Sequence, residues 1–142
     1  RLLNVSYDKN MMVSSEYNLF LRLSVHNEFK CISENIVDYR IHSGGLTHEN
    51  QLHAHQDRIH TLTNIINENK ELKKIYPREF KEAFARADYY NARTFCNKGE
   101  LKLARSAIKK HVFVSSKYFF VYILFLMPHF IRDYVFKKKY GR

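Results

Sequence analysis

The strongest constraint on the fold is how rarely glycine and proline occur in the second part of the chain. After Leu46, only Pro77, Gly99, Pro128 and Gly141 interrupt the sequence. Because these two residue types are the commonest helix breakers, such long stretches without them favour helices joined by few turns. The 142 residues are also 45% hydrophobic, which is enough for a folded domain with its own core.

Apolar stripes at helical spacing mark three helices in this part of the chain. The first continues to about Leu72. The second begins at Pro77, which suits the first turn of a helix, and ends at the C-cap signal Asn97-Lys98-Gly99. A third starts at Leu101, and together with the second it resembles one hairpin of a helical repeat. We therefore predict a helical extension with a packed αα-hairpin over residues 48–112.

Residues 113–142 form an aromatic and basic amphipathic tail. Residues 118–127 read YFFVYILFLM, and Lys137-Lys138-Lys139 follow Pro128. A membrane-spanning helix needs roughly 20 apolar residues, about twice as many as this run contains. Two alternatives remain open: a segment that lies on an anionic membrane surface, or a terminal helix docked on a groove of its own protein.

The stretch from Ser14 to Leu46 has a mixed pattern. Ser14 or Ser15 can cap a helix that runs to about Asn27, and Glu16 then lies at the positive end of the helix dipole. Periodicity places four residues on one face of this helix: Tyr17, Phe20, Leu21 and either Ser24 or Val25.

Two short apolar runs follow this helix. Residues Phe29–Ser33 and Ile36–Ile41 each suit a strand, and Ser43-Gly44-Gly45 ends the second one in a loop. The expected fold class is therefore mostly α with a small β component.

Two residues of this stretch could carry chemistry. Glu16 could act as a general base, but a carboxylate at a helix N-terminus is more often a capping-region charge. His42, at a strand end beside two glycines, could bind a metal or a phosphate, whereas a lone histidine is more often structural. The later histidines lack the i, i+4 spacing of a helical zinc site, so we interpret them as a solvated face: His48, His53, His55 and His60.

The net charge of +10 predicts attraction to phosphate groups. The densest lysine clusters are Lys73-Lys74, Lys109-Lys110 and Lys137 to Lys139. Because the last two flank the apolar tail, lipid headgroups are favoured and no nucleic-acid partner is expected. Cys31 and Cys96 have neither a metal-binding spacing nor a disulfide framework, which indicates a reducing compartment. We expect a cytoplasmic protein, which is either free in the cytoplasm or peripherally attached to the inner face of the membrane.

Residues 5–47 resemble the C-terminal part of the catalytic domain of family 2 glycosyltransferases, which are inverting enzymes of the GT-A fold. That family has an acidic pair, a helix similar to "dLwLRL", and two short strands with a pattern similar to "EplvdYRiH". The matching residues here are Glu16, Tyr17, Asn18, Leu19, Phe20, Leu21, Arg22 and Leu23, then Glu34, Val37, Tyr39, Arg40 and His42. Tyr7-Asp8 is similar to the family's "fD" segment.

This resemblance implies a role for each matched site residue. Glu16 falls on the family's catalytic base, although Ser15 replaces the first acid of the pair and Glu16 is one methylene longer than the usual aspartate. His42 falls on the histidine beside the metal and diphosphate, where Mg²⁺ or Mn²⁺ neutralises the leaving group. Tyr39 and Arg40 would hold the strand and loop in place.

The resemblance also implies that a large part of the enzyme lies elsewhere. The family's nucleotide-binding half and its Asp-x-Asp metal motif precede the matched region. We therefore expect residues 1–47 to be the C-terminal portion of an α/β catalytic domain, and the 142 residues to be a fragment that is inactive alone. The full enzyme would transfer sugar from a nucleotide-sugar donor to a glycan or lipid-linked acceptor, in surface polysaccharide synthesis. The alternative is a non-enzymatic helical adaptor that docks on a membrane or a partner protein through its basic aromatic tail.

Overall fold

A computed structural model describes residues 6–38, 50–128, 130–131 and 134–135, and it is predominantly helical. The helices are α1 (Ser15–Ser24), α2 (Gln51–Glu68), α3 (Lys70–Ile75), α4 (Pro77–Asn97), α5 (Leu101–Lys109) and α6 (Ser116–Leu126). The chain divides into two compact units, Arg1–Tyr76 and Pro77–Arg142, which we call the N-terminal and the C-terminal unit. The division falls inside the predicted helical extension 48–112, because α2 and α3 belong to the N-terminal unit.

Helix α1 packs on α2 through a side other than that of Tyr17 and Phe20. Tyr17 and Phe20 are exposed, whereas Asn18 is only 1% exposed and faces α2. The periodicity correctly placed Tyr17 and Phe20 on a helix, but it did not indicate which side of that helix would be buried. A polar contact decides which side of α1 turns inward.

The predicted strands are not present in the part of the chain that the structure describes. Residues 28–38 are irregular and exposed, including Phe29, Ile32, Ile36 and Val37. A strand needs a neighbouring strand for its backbone hydrogen bonds, and the described residues supply none. The second predicted strand continues into residues 39–41, which lie outside the described residues.

Helices α2 and α3 replace the one helix that was predicted to reach Leu72. The break is at Asn69, whose extended backbone separates the two helices while its N–H still donates to the carbonyl of Ile65. The buried side of α2 combines apolar and polar residues: Ala54, Asp57, Thr61, Leu62 and Ile65.

In the described part of the C-terminal unit, α4, α5 and α6 pack around one core. Alanines allow the helices to approach closely, and Ala85, Ala92 and Ala104 are fully buried. The larger core side chains include Tyr89, Ile108, Tyr118 and Phe125. Helices α4 and α5 pack against each other, and α6 packs on this pair.

Pro77 and Gly99 delimit α4 as the sequence predicted. Pro77 is its first residue. At its C-terminus the N–H of Glu100 donates to the carbonyl of Phe95 and the N–H of Gly99 to that of Cys96. This is the Schellman motif, and it requires the positive φ of 80° that Gly99 adopts.

Helix α6 docks one of its sides on the core of its own unit. Tyr118 and Phe125, seven residues apart, are fully buried between the other two helices. This is the packing that the second alternative for the tail predicted. In the described part of the chain, no helix is long and apolar enough to cross a membrane.

The two units differ sharply in charge. Residues 1–76 contain nine basic and nine acidic residues, whereas residues 77–142 contain fifteen basic and five acidic residues. The whole net charge of +10 therefore belongs to the C-terminal unit.

Candidate functional site

The candidate site is the N-terminal end of α1, where Glu16 lies in the first turn of the helix. Its side chain is exposed, so the carboxylate is accessible to a ligand. Ser14 occupies the N-cap position, but its side chain makes no capping hydrogen bond. The serine cap that the sequence predicted is thus absent, and another group fixes this end of the helix.

That group is the carboxylate of Asp57, on the buried side of α2. Its Oδ2 atom accepts hydrogen bonds from three consecutive backbone N–H groups: Met12 at 3.2 Å, Val13 at 2.8 Å and Ser14 at 2.9 Å. Asp57 is only 6% exposed, so these charge-assisted bonds are shielded from water. Consecutive N–H groups that converge on one anion form a nest, here occupied by a side chain of the protein itself.

A second polar contact joins the same two helices one turn further along. The side-chain amide of Asn18 donates to the Thr61 hydroxyl at 3.0 Å, and that hydroxyl donates to the backbone carbonyl of Asp57 at 2.9 Å. Oδ1 of Asn18 is buried without a hydrogen-bond partner among the described residues. The contact therefore fixes the register of α1 on α2, at the cost of one unsatisfied oxygen.

A third contact holds the segment that leads into α1. Nε2 of His60 lies 3.2 Å from Oδ2 of Asp8, and the other carboxylate oxygen of Asp8 accepts the N–H of Asn10 at 2.9 Å. The hydrogen bond from Asn10 lowers the pKa of the Asp8 carboxyl, and His60 lowers this pKa further, with partial opposition from desolvation. His60 is exposed, as the predicted solvated histidine face requires, and it also contacts Asp8.

The structure does not test the predicted metal ligand. His42, Tyr39 and Arg40 lie outside the described residues. Among the residues that are described, no group of three or more His, Cys, Asp or Glu side chains could hold a metal ion. These residues on their own therefore do not fit the Mg²⁺ or Mn²⁺ that the family resemblance implies.

The C-terminal unit contains two buried polar clusters that serve the fold. His111 Nε2 lies 2.7 Å and Lys110 Nζ 2.8 Å from Oδ2 of Asp88, which ties the turn after α5 to α4. The Tyr118 hydroxyl donates to Oε1 of Glu82 at 2.6 Å. Burial raises the pKa of the Tyr118 hydroxyl well above its usual value, and the neighbouring carboxylate raises it further.

Sequence reasoning missed the residues that position Glu16. Asp57 and Thr61 follow Ala54 at helical spacing and precede Ile65, so they interrupt the apolar side of α2 with polar groups. A carboxylate on a buried helix side needs partners, and this was the available signal.

The arrangement presents one exposed carboxylate on a helix whose start is tied to a neighbouring helix at several points. Such a carboxylate can accept a proton from a bound hydroxyl group, provided that another surface binds the second reactant. Comparisons with protein-family models, with functionally characterised proteins and with solved structures give no match.

Proposed function

We propose that this chain is the C-terminal part of an inverting glycosyltransferase that acts on a nucleotide-sugar donor and a glycan or lipid-linked acceptor. The observation that carries the proposal is the exposed carboxylate of Glu16 at the anchored start of α1. Positioning of this kind is what general-base catalysis requires, because a misplaced base loses much of its effect. The ordered resemblance from Glu16 to His42 supplies the reaction class.

In the proposed reaction, Glu16 removes the proton from an acceptor hydroxyl group. The resulting oxygen attacks the anomeric carbon of the donor sugar from the face opposite the nucleoside diphosphate. The new bond forms from carbon to the acceptor oxygen, and the bond from carbon to the diphosphate oxygen breaks, which inverts the configuration. Asp57 contributes indirectly, by fixing the backbone from which Glu16 projects.

The proposal assigns donor binding to a part of the enzyme that is separate from these residues. The α/β GT-A domain that the resemblance implies would provide the nucleotide site, the divalent cation and partner strands for residues 28–38. The exposure of Phe29, Ile36 and Val37 supports this, since apolar side chains in an extended segment pack well against a neighbouring sheet. We therefore expect the 142 residues alone to transfer no sugar, and detectable transfer by them would contradict the assignment.

The test is a set of substitutions in the complete enzyme. Glu16→Gln should abolish transfer while donor binding, measured by calorimetry, stays nearly unchanged. Glu16→Asp should retain activity, because it restores the shorter acid that is usual in the family. Glu28→Gln is the matched control, since Glu28 is another exposed carboxylate of the N-terminal unit. Normal turnover in Glu16→Gln would refute the role of Glu16 as the base.

A helical adaptor is the second candidate function, and the concentration of charge in the C-terminal unit favours it. A protein of this kind would need residues 77–142 and not Glu16. Deletion of residues 77–142 and Glu16→Gln therefore separate the two functions in cells that produce the complete protein. Loss of function only in the deletion would support the adaptor, whereas loss in both would support the enzyme.

A further inference from the structure

Helix α6 is apolar on both of its sides, but only one side is covered. Tyr118 and Phe125 lie in the core of the C-terminal unit, and Val121 and Tyr122 pack against it. The other side carries the exposed side chains of Phe119, Phe120 and Leu126, and the exposed Met127 follows directly after the helix. Phe119 is 46% and Phe120 68% exposed. A helix that is apolar all round normally has both sides covered, whereas the outward side of α6 is exposed in the part of the chain that the structure describes.

The turn before α6 carries a further exposed apolar side chain. Phe113 lies between α5 and α6 and is 92% exposed, the most exposed large apolar residue described in the chain. We call Phe113, Phe119, Phe120, Leu126 and Met127 the aromatic surface. Exposing large apolar side chains to water costs free energy, and a contiguous exposed group of them often marks a binding surface.

Exposed lysines accompany the aromatic surface along the chain. Lys109 and Lys110 precede the turn that carries Phe113, and Lys117 lies in the first turn of α6. Lys117 Nζ is 4.6 Å from the centre of the Tyr89 ring and 5.3 Å from that of the Tyr118 ring, so its charge lies at the edge of the core and not among the outward phenylalanines. The surrounding unit has an excess of ten positive charges, and the other unit has none.

We propose that the aromatic surface of the C-terminal unit binds the surface of an anionic lipid bilayer. Phenylalanine and leucine side chains would enter the boundary between headgroups and acyl chains, while the lysines would contact lipid phosphates. The positive charge favours an anionic bilayer over a second copy of the chain, because two copies joined at this surface would bring two strongly positive units together and these units would repel each other. A helix of 11 residues is roughly 16 Å long, about half of a bilayer's hydrocarbon thickness, so α6 lies along the surface.

This inference rests on the packing of α6 and holds for either candidate function. It also reduces the set of residues within 113–142 that are expected to contact lipid. Tyr118 and Phe125 do not take part, because they are already buried in the core. Attachment would therefore leave the three-helix core intact.

The chain contains no tryptophan, so one introduced indole reports its own surroundings. Phe120→Trp should show a blue-shifted emission with vesicles of phosphatidylcholine and phosphatidylglycerol, and no shift with phosphatidylcholine alone. Phe29→Trp is the matched control, because Phe29 is similarly exposed, at 55%, in the N-terminal unit, whose formal net charge is zero. Its emission should not change with either kind of vesicle.

Vesicle sedimentation of the 142-residue chain gives the second measurement. Phe119→Ser together with Phe120→Ser should weaken binding at least about tenfold. The free energy gained by transferring even one phenylalanine ring out of water is larger than the free energy that corresponds to a tenfold change in affinity. Lys109→Gln together with Lys117→Gln should also weaken binding, by about fivefold for each lysine near the surface. Phe29→Ser and the pair Lys70→Gln, Lys73→Gln are the controls, and they should bind like the unchanged chain.

Three results would overturn the proposal. One is the absence of binding to anionic vesicles. Another is vesicle binding without a blue shift at position 120, which would leave charge as the only source of attachment. The third is a concentration-dependent dimer that the two serine substitutions dissociate in the absence of vesicles, which would assign the aromatic surface to a second copy of the chain.

Discussion

Replacement of Asp57 tests whether one side chain fixes the start of α1. Asp57→Ala removes the acceptor of three backbone N–H groups, whose distances to Oδ2 are 2.8 to 3.2 Å. A buried hydrogen bond to a charged group contributes about 1.5–3 kcal/mol, but three donors that share one oxygen do not add fully, and water can reach part of this segment. We therefore expect a loss of about 2–4 kcal/mol in the free energy of unfolding of the N-terminal unit.

Urea denaturation followed by circular dichroism measures this loss on the whole chain. Asp57→Asn retains a neutral oxygen acceptor and should lose about half as much stability. Asp38→Ala is the matched control, because it removes an exposed carboxylate from the same unit and should change stability by less than about 0.5 kcal/mol.

Amide hydrogen exchange keeps the reasoning falsifiable if Asp57→Ala does not fold. The amides of Met12, Val13 and Ser14 should be protected in the unchanged chain, because each donates to Asp57. In Asp57→Asn they should exchange faster, while amides within α2 keep their protection. Unchanged midpoints together with unchanged protection of these three amides would show that the carboxylate does not hold this segment.

Three further predictions follow from side chains with defined surroundings. Because the pKa of the Tyr118 hydroxyl is raised, its neutral form stabilises the fold fully below about pH 10, and this contribution is lost as the pH rises above that value. The free energy of unfolding, measured with urea, should therefore fall less steeply at alkaline pH in Tyr118→Phe. The control Tyr122→Phe should not show this change. The pKa of Asp8 is lowered, so its contribution is present above about pH 4 and is lost as the pH falls further; Asp8→Asn should flatten the acid side of the same measurement. Gly99→Ala should destabilise the fold by about 1 kcal/mol and so lower the melting temperature. The cause is backbone strain alone, because nothing lies within 4 Å of the added methyl group. An unchanged melting temperature would contradict this.

The sequence predicted those helix ends that depend on the backbone chemistry of single residues. Pro77 starts α4 because its fixed φ and missing N–H suit a first turn, and Gly99 ends it because glycine adopts a positive φ without strain. The break at Asn69 was not predicted, since asparagine is tolerated within helices and carries no comparable signal.

Features that depend on distant contacts were not predictable in this way. The alternating residues 36–38 have the composition of a strand, but strand formation depends on a partner that lies elsewhere in space. Likewise, the apolar spacing of Tyr17 and Phe20 could not indicate which side of α1 is buried, because that side is set by the contact of Asn18 with Thr61, 43 residues away in the sequence.

In the candidate site, too, the features set by local sequence were predictable and those set by distant contacts were not. Glu16 was identifiable from local sequence and family resemblance, whereas its support by Asp57 required knowledge of how α1 and α2 pack. His42 stays a prediction, since it lies outside the described residues.

The unequal distribution of charge also has a consequence for how the two units respond to salt. Ten surplus positive charges within one unit repel each other, and this self-repulsion opposes its compact state. Raising the ionic strength shortens the range of this repulsion, to roughly 10 Å at 0.1 M and about 3 Å at 1 M. The C-terminal unit should therefore become more stable as salt is added, while the N-terminal unit, with equal numbers of basic and acidic residues, should change little.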